Sequence, residues 1–267
     1  MKLAVGGPGP NVANVVRAEW RKLWAVRATT WTLCALPLLG VIFAVFFSSG
    51  GGRDYTTLSA TDRLAFDPTA TSLRTYLTAQ LFVGVLGVLV ITTEYGTGLI
   101  NTTITAVPRR NRLLAAKVAV LAMAAFIFGE LTAFASYFIG QSVIAGYGAP
   151  STTLTDPGVF RAVSGMGLYL VLTAVLGFAV GTLVRSTAGG LAIMVSVTLI
   201  FPGLSQSLPD ALKRGVAQYW PNLAGSQIMT VYRDPGLLSP TAGFWLYFVS
   251  VAVVIAAAIV SFRKRDI

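Results

Sequence analysis

The chain has 267 residues, 55% of them hydrophobic and only 11% charged, with a mean hydropathy of +0.72, which excludes an ordinary water-exposed surface and makes lipid the main solvent. Its formal charge of +10 is spread over the ends of apolar runs instead of one patch, which argues against a nucleic-acid partner. Histidine is absent and Cys34 is the only cysteine, so zinc sites, disulfide frameworks and histidine-dependent triads are unavailable.

At the N-terminus Lys2 is followed only by Leu3, Ala4 and Val5 before Gly6-Gly7-Pro8-Gly9-Pro10. This is too short for the apolar core of a signal peptide, so the first insertion signal is expected to be a retained helix. Asn14–Arg27 then reads NVVRAEWRKLWAVR. Helical spacing gathers Val15, Val16, Trp20, Leu23 and Trp24 and leaves Arg17, Arg21, Lys22 and Arg27 to face headgroups, so the segment is expected to lie in the interface as an amphipathic elbow. A generic positive-inside anchor with interfacial tryptophans has the same pattern. Residues 1–29 are therefore read as a cytoplasmic tail with an elbow helix, and 30–267 as one transmembrane domain.

A helix needs about 20 predominantly apolar residues to cross a bilayer core. Six stretches meet this: Thr30–Phe47, Leu73–Thr93, Leu113–Ile139, Val163–Val184, Ala188–Leu204 and Gly243–Phe262. The expected fold is all-α and polytopic, with the fourth and fifth spans joined by a tight turn at Arg185-Ser186-Thr187. With the N-terminus inside, the cytoplasmic side collects Lys2, Arg17, Arg21, Lys22, Arg27, Arg109, Arg110, Arg112, Lys117, Arg185, Arg263, Lys264 and Arg265. The other side receives Asp54, Asp62, Asp67, Asp156, Asp210 and Asp234 along with fewer basic residues, so both termini are expected to be cytoplasmic. No period of 20 to 50 residues repeats along the chain, which demotes an inverted-repeat transporter.

Between the second and third spans, Glu94-Tyr95-Gly96-Thr97-Gly98 leads through a Thr-rich stretch to Pro108-Arg109-Arg110-Asn111-Arg112. The glycines permit a sharp departure from the second span, the middle can form a short amphipathic helix, and Pro108 breaks it. Such a loop suits contact with a soluble partner, although a plain connector with a basic cluster fits the same residues.

Glu130 is the one acid well inside a span. A charge there costs at least about 2.5 kcal/mol on insertion scales, so it is expected to line a polar path, or to stay protonated and bond a hydroxyl such as Thr132 or Ser136. Gly177 and Gly181 allow close helix approach, expected within the subunit. Pro37 and Pro202 are candidate kinks in the first and fifth spans. In the insert Ser205–Thr241, Pro209-Asp210 can start a helix that Pro221 ends. Val216, Tyr219 and Trp220 would then dip into the interface or lie on an amphipathic surface helix.

The order of these elements resembles the permease subunits of type-2 ABC exporters, the ABC-2-type permeases. The likeness is carried by Glu19-Trp20-Arg21-Lys22, by Glu94–Gly98 at the end of the second span, by Val107-Pro108-Arg109-Arg110, and by Leu114-Ala115-Ala116-Lys117 opening the third. The resemblance implies that Glu94, Tyr95, Gly96, Thr97, Gly98, Pro108, Arg109, Arg110 and Arg112 belong to a cytoplasmic coupling helix and its flanks, which dock on an ATPase. It implies that Trp20, Arg21, Lys22 and Trp24 form the elbow, that the second and fifth spans line a central path, and that external re-entrant helices separate the fifth and sixth. Expected partners are two copies of an ABC ATPase and a second permease copy, in a homodimer or heterodimer, within a bacterial cytoplasmic membrane.

No GxxxxGK[ST] loop occurs, so ATP and Mg are expected to act through the partner, with no cofactor, metal site or enzymatic activity in this chain. The apolar spans suit a hydrophobic or amphipathic cargo such as a drug, antibiotic or lipid. Two other readings stay open: a proton-coupled secondary transporter using Glu130, and a non-transporting scaffold or immunity protein.

Overall fold

A computed structural model describes residues 11–99 and 110–264. The described residues are helical with no strands, and six helical stretches are long and apolar enough to cross a membrane: Arg27–Thr57, Pro68–Gly96, Asn111–Gly146, Val159–Val184, Thr187–Ser205 and Pro240–Lys264. A shorter helix, α1 (Val12–Ala25), precedes them and is set off by the extended backbone of Val26. The Thr30 hydroxyl bonds the Trp24 carbonyl across this joint at 3.0 Å, satisfying one of the acceptors that a helix end leaves open.

The first span, α2 (Arg27–Thr57), runs well past Phe47, where the apolar run stops, and it is unbroken at Pro37. Within the Gly50-Gly51-Gly52 triplet, which stays helical, two bare backbone positions are packing surfaces: Gly51 lies against the Thr71 methyl group and Gly52 against the Tyr147 ring. Beyond the short α3 (Ala60–Leu64), the second span is built from α4 (Pro68–Leu73) and α5 (Tyr76–Gly96). The third is α6 (Arg110–Gly146) and the fourth α7 (Val159–Val184).

The second and fourth spans form the centre of the bundle. A Cβ on Gly87 would strike the Ala174 carbonyl oxygen, and one on Gly177 would strike that of Gly84. Gly177 and Gly181 thus serve packing within the subunit, as their spacing suggests. Leu86, Ile91, Leu170 and Phe178 are fully buried around this crossing.

The fifth span consists of α8 (Thr187–Val195), a π-turn (Ser196–Ile200) and α9 (Phe201–Ser205). Pro202 has no N–H to give the Thr198 carbonyl, and the wide turn sends the Phe201 N–H to Ser196, so the carbonyls of Val197 and Thr198 are left open. Side chains from elsewhere fill them. The Trp220 indole donates to Val197 at 3.1 Å, and Asn222 and Gln80 approach Thr198 at 3.3 and 3.4 Å.

Gln80 belongs to α5, whereas Trp220 and Asn222 come from the insert, where Pro221 ends α10 (Asp210–Tyr219) and also opens α11 (Pro221–Ser226), followed by a 3-10 turn (Gln227–Met229). Val197 and Thr198 lie about two helical turns before Ser205, and Gly225 packs on Tyr247, about two turns into the sixth span, α12 (Pro240–Lys264). The insert therefore folds back into the bundle between the fifth and sixth spans. At its far side, Asp67 receives the Val231 and Tyr232 N–H groups at 2.6 and 2.8 Å, while Arg161 donates to the carbonyls of Ile228 and Thr230, both at 2.8 Å.

Candidate functional site

The elbow docks on the bundle through one stripe. Val15, Glu19 and Leu23, spaced four apart, are buried, while Arg17 and Arg21 are exposed. Trp20 and Trp24 flank the stripe edge to face, with ring centroids 5.8 Å apart, and Trp24 leans on Phe128 of α6 at 6.0 Å. The tryptophans therefore pack on each other and on the bundle.

Glu19 stands in the middle of that stripe. Its Oε2 accepts from Lys117 Nζ of α6 at 2.7 Å and its Oε1 from Lys22 Nζ at 3.1 Å. Both ammonium groups also reach Glu94 Oε1 at the end of α5, Lys117 at 2.5 Å and Lys22 at 3.3 Å. Two carboxylates and two lysines, drawn from the elbow, the second span and the third, thus form one neutral cluster. The Lys117 side chain is 1% exposed and that of Lys22 44%, so Lys117 is the buried hub and Lys22 the lid. Burial works against the charge of Lys22, but the attraction and hydrogen bonds of Glu19 and Glu94 together outweigh it and hold its pKa above the usual lysine value. Glu94 Oε2 is buried and has no hydrogen-bond partner.

The segment that follows Glu94 is also anchored. Arg185 closes α7 in the left-handed conformation and places its guanidinium 5.3 Å from the centre of the Tyr95 ring, and the Thr187 hydroxyl bonds that of Thr92 at 2.9 Å. Gly96 ends α5, the Thr97 hydroxyl returns to the Thr93 carbonyl at 2.8 Å, and Gly98 turns the chain with a φ of +70°. Pro108, Arg109 and the body of the expected coupling helix lie outside the described residues. Arg110 opens α6 and Arg112 is exposed on its first turn.

In the sequence Lys22 and Glu94 belong to separate motifs, and nothing local gives Glu19 or Lys117 a site role. Two signals were present: Glu19 is the only acid before Asp54, and Lys117 interrupts an apolar run from Leu113 to Val120.

Glu130 is elsewhere. It is half-buried at the seam of the third and fourth spans, its carboxyl laid over Gly167, where any Cβ would collide with it. Its Oε2 has no partner, because the Thr132 hydroxyl bonds the Phe128 carbonyl and the Ser136 hydroxyl accepts from Thr75. Neither of the hydroxyls expected from the sequence reaches it.

A helical bundle with six membrane-length apolar helices, a docked amphipathic elbow and an anchored, charged exit from the second span has the build of a membrane-embedded transport subunit. Residues 15–203 match the model of the ABC-2 family transporter proteins, and the chain belongs to that family. The matched residues run from the elbow through most of the fifth span, so all four members of the charge cluster lie within them. No curated protein sequence matches the chain. Membership makes it a permease, the membrane component of an ABC-type transporter.

Proposed function

We propose that this chain is the membrane-spanning subunit of an ATP-driven exporter in a bacterial cytoplasmic membrane, with both termini cytoplasmic. Its energy comes from a separate ABC ATPase present in two copies, which supplies the ATP and Mg chemistry. A second permease copy, identical or similar, completes a twelve-span path for a hydrophobic or amphipathic cargo of the drug, antibiotic or lipid-like kind.

One observation carries the coupling part of this reading: the Glu19–Lys22–Glu94–Lys117 cluster fastens the elbow, the end of the second span and the start of the third at the foot of the segment 94–112. A push on that segment by a nucleotide-driven ATPase would be shared by three elements at once instead of being lost in a flexible loop. Glu94, Tyr95, Gly96, Thr97, Gly98, Pro108, Arg109, Arg110 and Arg112 are the residues of this coupling region.

The test is affinity purification of the tagged protein from its native membrane in mild detergent, with mass spectrometry and an ATPase assay, and a Glu94→Ala variant alongside. Recovery of an ABC ATPase whose activity loses its response to cargo in the variant is the expected result. Intact protein that never brings an ATPase with it would overturn the exporter reading and turn attention to Glu130 as a proton carrier.

A further inference from the structure

Glu130 lies about 13 Å inside the nearer end of the apolar run Leu113–Ile139. At that depth it is in the hydrocarbon core, below the headgroup layer, where a lipid's own amine does not reach. The third and fourth spans cross beside it. A Cβ on Gly129 would meet the Gly167 backbone at 3.4 Å, and one on Gly167 would collide with the Glu130 carboxyl, so the bare Gly167 leaves the space that the carboxyl fills.

The described residues bring this acid no counter-charge. Lys117, the basic residue of the same apolar run, is held by Glu19 and Glu94 about 20 Å away along α6. The other apolar runs contain no lysine or arginine except Arg74 at the edge of the second, so a second copy has no basic residue to offer at this depth. Hydrogen bonds do not serve Glu130 either: its Oε2 is turned into the protein without a partner, and the hydroxyls of Thr132 and Ser164 bond carbonyls of their own helices. An acid kept for structure is normally hydrogen-bonded, and a bare charge in hydrocarbon is costly.

The side chain is only half-buried, and its surroundings open to lipid: Phe126, Ile127 and Leu131 are exposed. Phe126 and Phe134 stand one helical turn to either side of Glu130, and Phe134 lies 6.4 Å from the Phe160 ring of α7. A single negative charge between aromatic rings, in surroundings of low dielectric, attracts a cation strongly and without any need for N–H donors. Such a cation must itself be soluble in the bilayer to arrive there.

We propose that the seam of α6 and α7 takes a lipophilic monovalent cation from the bilayer, paired with Glu130 and flanked by Phe126 and Phe134. As a statement about cargo this rests on the exporter reading, which it narrows to hydrophobic cations, but the binding itself needs neither an ATPase nor a second permease copy.

Equilibrium binding of labelled tetraphenylphosphonium to the full chain in lipid nanodiscs tests it, with empty nanodiscs subtracted and tetraphenylborate, an anion of the same shape, as the paired probe. Saturable phosphonium binding is expected, weakened at least tenfold by Glu130→Gln, which corresponds to about 1.4 kcal/mol, with a melting curve to verify folding. Tetraphenylborate should show no saturable binding to either chain. On the unmodified chain, labelling of Glu130 by a hydrophobic carbodiimide, read by peptide mass spectrometry, should be slowed by the phosphonium and not by the borate. Absent phosphonium binding, binding that survives Glu130→Gln, equal binding of the borate, or a Glu130 that resists the carbodiimide or gains no protection overturns the proposal. Should Glu130→Gln fail to fold, the protection experiment decides alone. Phosphonium binding by a chain that never brings an ATPase with it would keep the site and remove the exporter reading, and an ATPase recovered with a chain that binds no phosphonium would do the reverse.

Discussion

Lys117 and Glu94 stand on consecutive spans, 23 residues apart in the chain, with ammonium and carboxylate 2.5 Å apart and the lysine side chain only 1% exposed. A charge buried this far persists only because two carboxylates surround it, and the second, Glu19, comes from the elbow 98 residues away. The pair therefore acts as a joint: neither span can shift its end without straining the elbow.

Removing the hub leaves two buried acids served by Lys22 alone. Lys117→Met should destabilise the protein by about 3–5 kcal/mol, read as a fall in melting temperature in detergent. Neutralising the buried set together, with Glu19→Gln, Glu94→Gln and Lys117→Met, should recover most of that loss because no buried charge is left unpaired and Lys22, 44% exposed, can turn to solvent. A triple variant as unstable as the single one would show that the cost was packing of the lysine stem and not charge.

The lid of the cluster makes elbow docking sensitive to alkali. The folded pKa of Lys22 lies above its ordinary 10.5, so its contribution is complete below that value and is lost as pH rises through the raised one. Fluorescence of Trp20 and Trp24 should stay constant from neutral pH to about pH 10 and shift only above it, on the ordinary lysine scale. Lys22→Arg should move the shift to higher pH, and Lys22→Gln should remove it. A transition near pH 7 in the unmodified chain would refute the assignment.

How much of this was legible in the sequence depends on range. The spans follow from apolar run length, and the elbow from its amphipathic spacing, both of which are local. The helix that continues past Phe47 to Thr57 was not legible, because it is Thr71 and Tyr147, distant in sequence, that make Gly51 and Gly52 a helix surface. Lys117 looked like one more basic residue at a membrane edge, and only the elbow folding back over α6 turns it into a hub. Pro221 was legible as a helix end, but the acceptors that Trp220 and Asn222 serve were not, since nothing near them in sequence contains the open carbonyls of Val197 and Thr198.

The crossing of the second and fourth spans should tolerate no side chain. Gly177→Val would drive its Cβ into the Gly84 carbonyl, and backbone cannot yield as a flexible side chain can. Overpacking of this kind costs about 1–3 kcal/mol even where neighbours relax, so the upper end or beyond is expected. Gly215→Ala in α10, where a Cβ meets nothing within 4 Å, is the control and should be neutral or stabilising by about 0.5–1 kcal/mol. Melting temperatures of the two variants should therefore move in opposite directions, or only the first should move.

The fold-back segment is tied to the fifth span by the consequence of one proline. Asn222→Leu leaves the Thr198 carbonyl with only the long contact from Gln80, at a cost of about 1–3 kcal/mol for a poorly satisfied buried acceptor. Pro202→Ala restores the N–H that an α-helix would send to Thr198. In that background the same Asn222→Leu change should cost much less, because the carbonyl no longer depends on the insert. Hydrogen exchange at α11 gives the readout: Asn222→Leu alone should loosen the segment, and Pro202→Ala should itself weaken its hold by giving the carbonyl another donor. Additive effects in the double-mutant cycle would mean that Asn222 and Pro202 do not meet at Thr198, and that packing of Ala224 and Gly225 on the sixth span holds the insert in place.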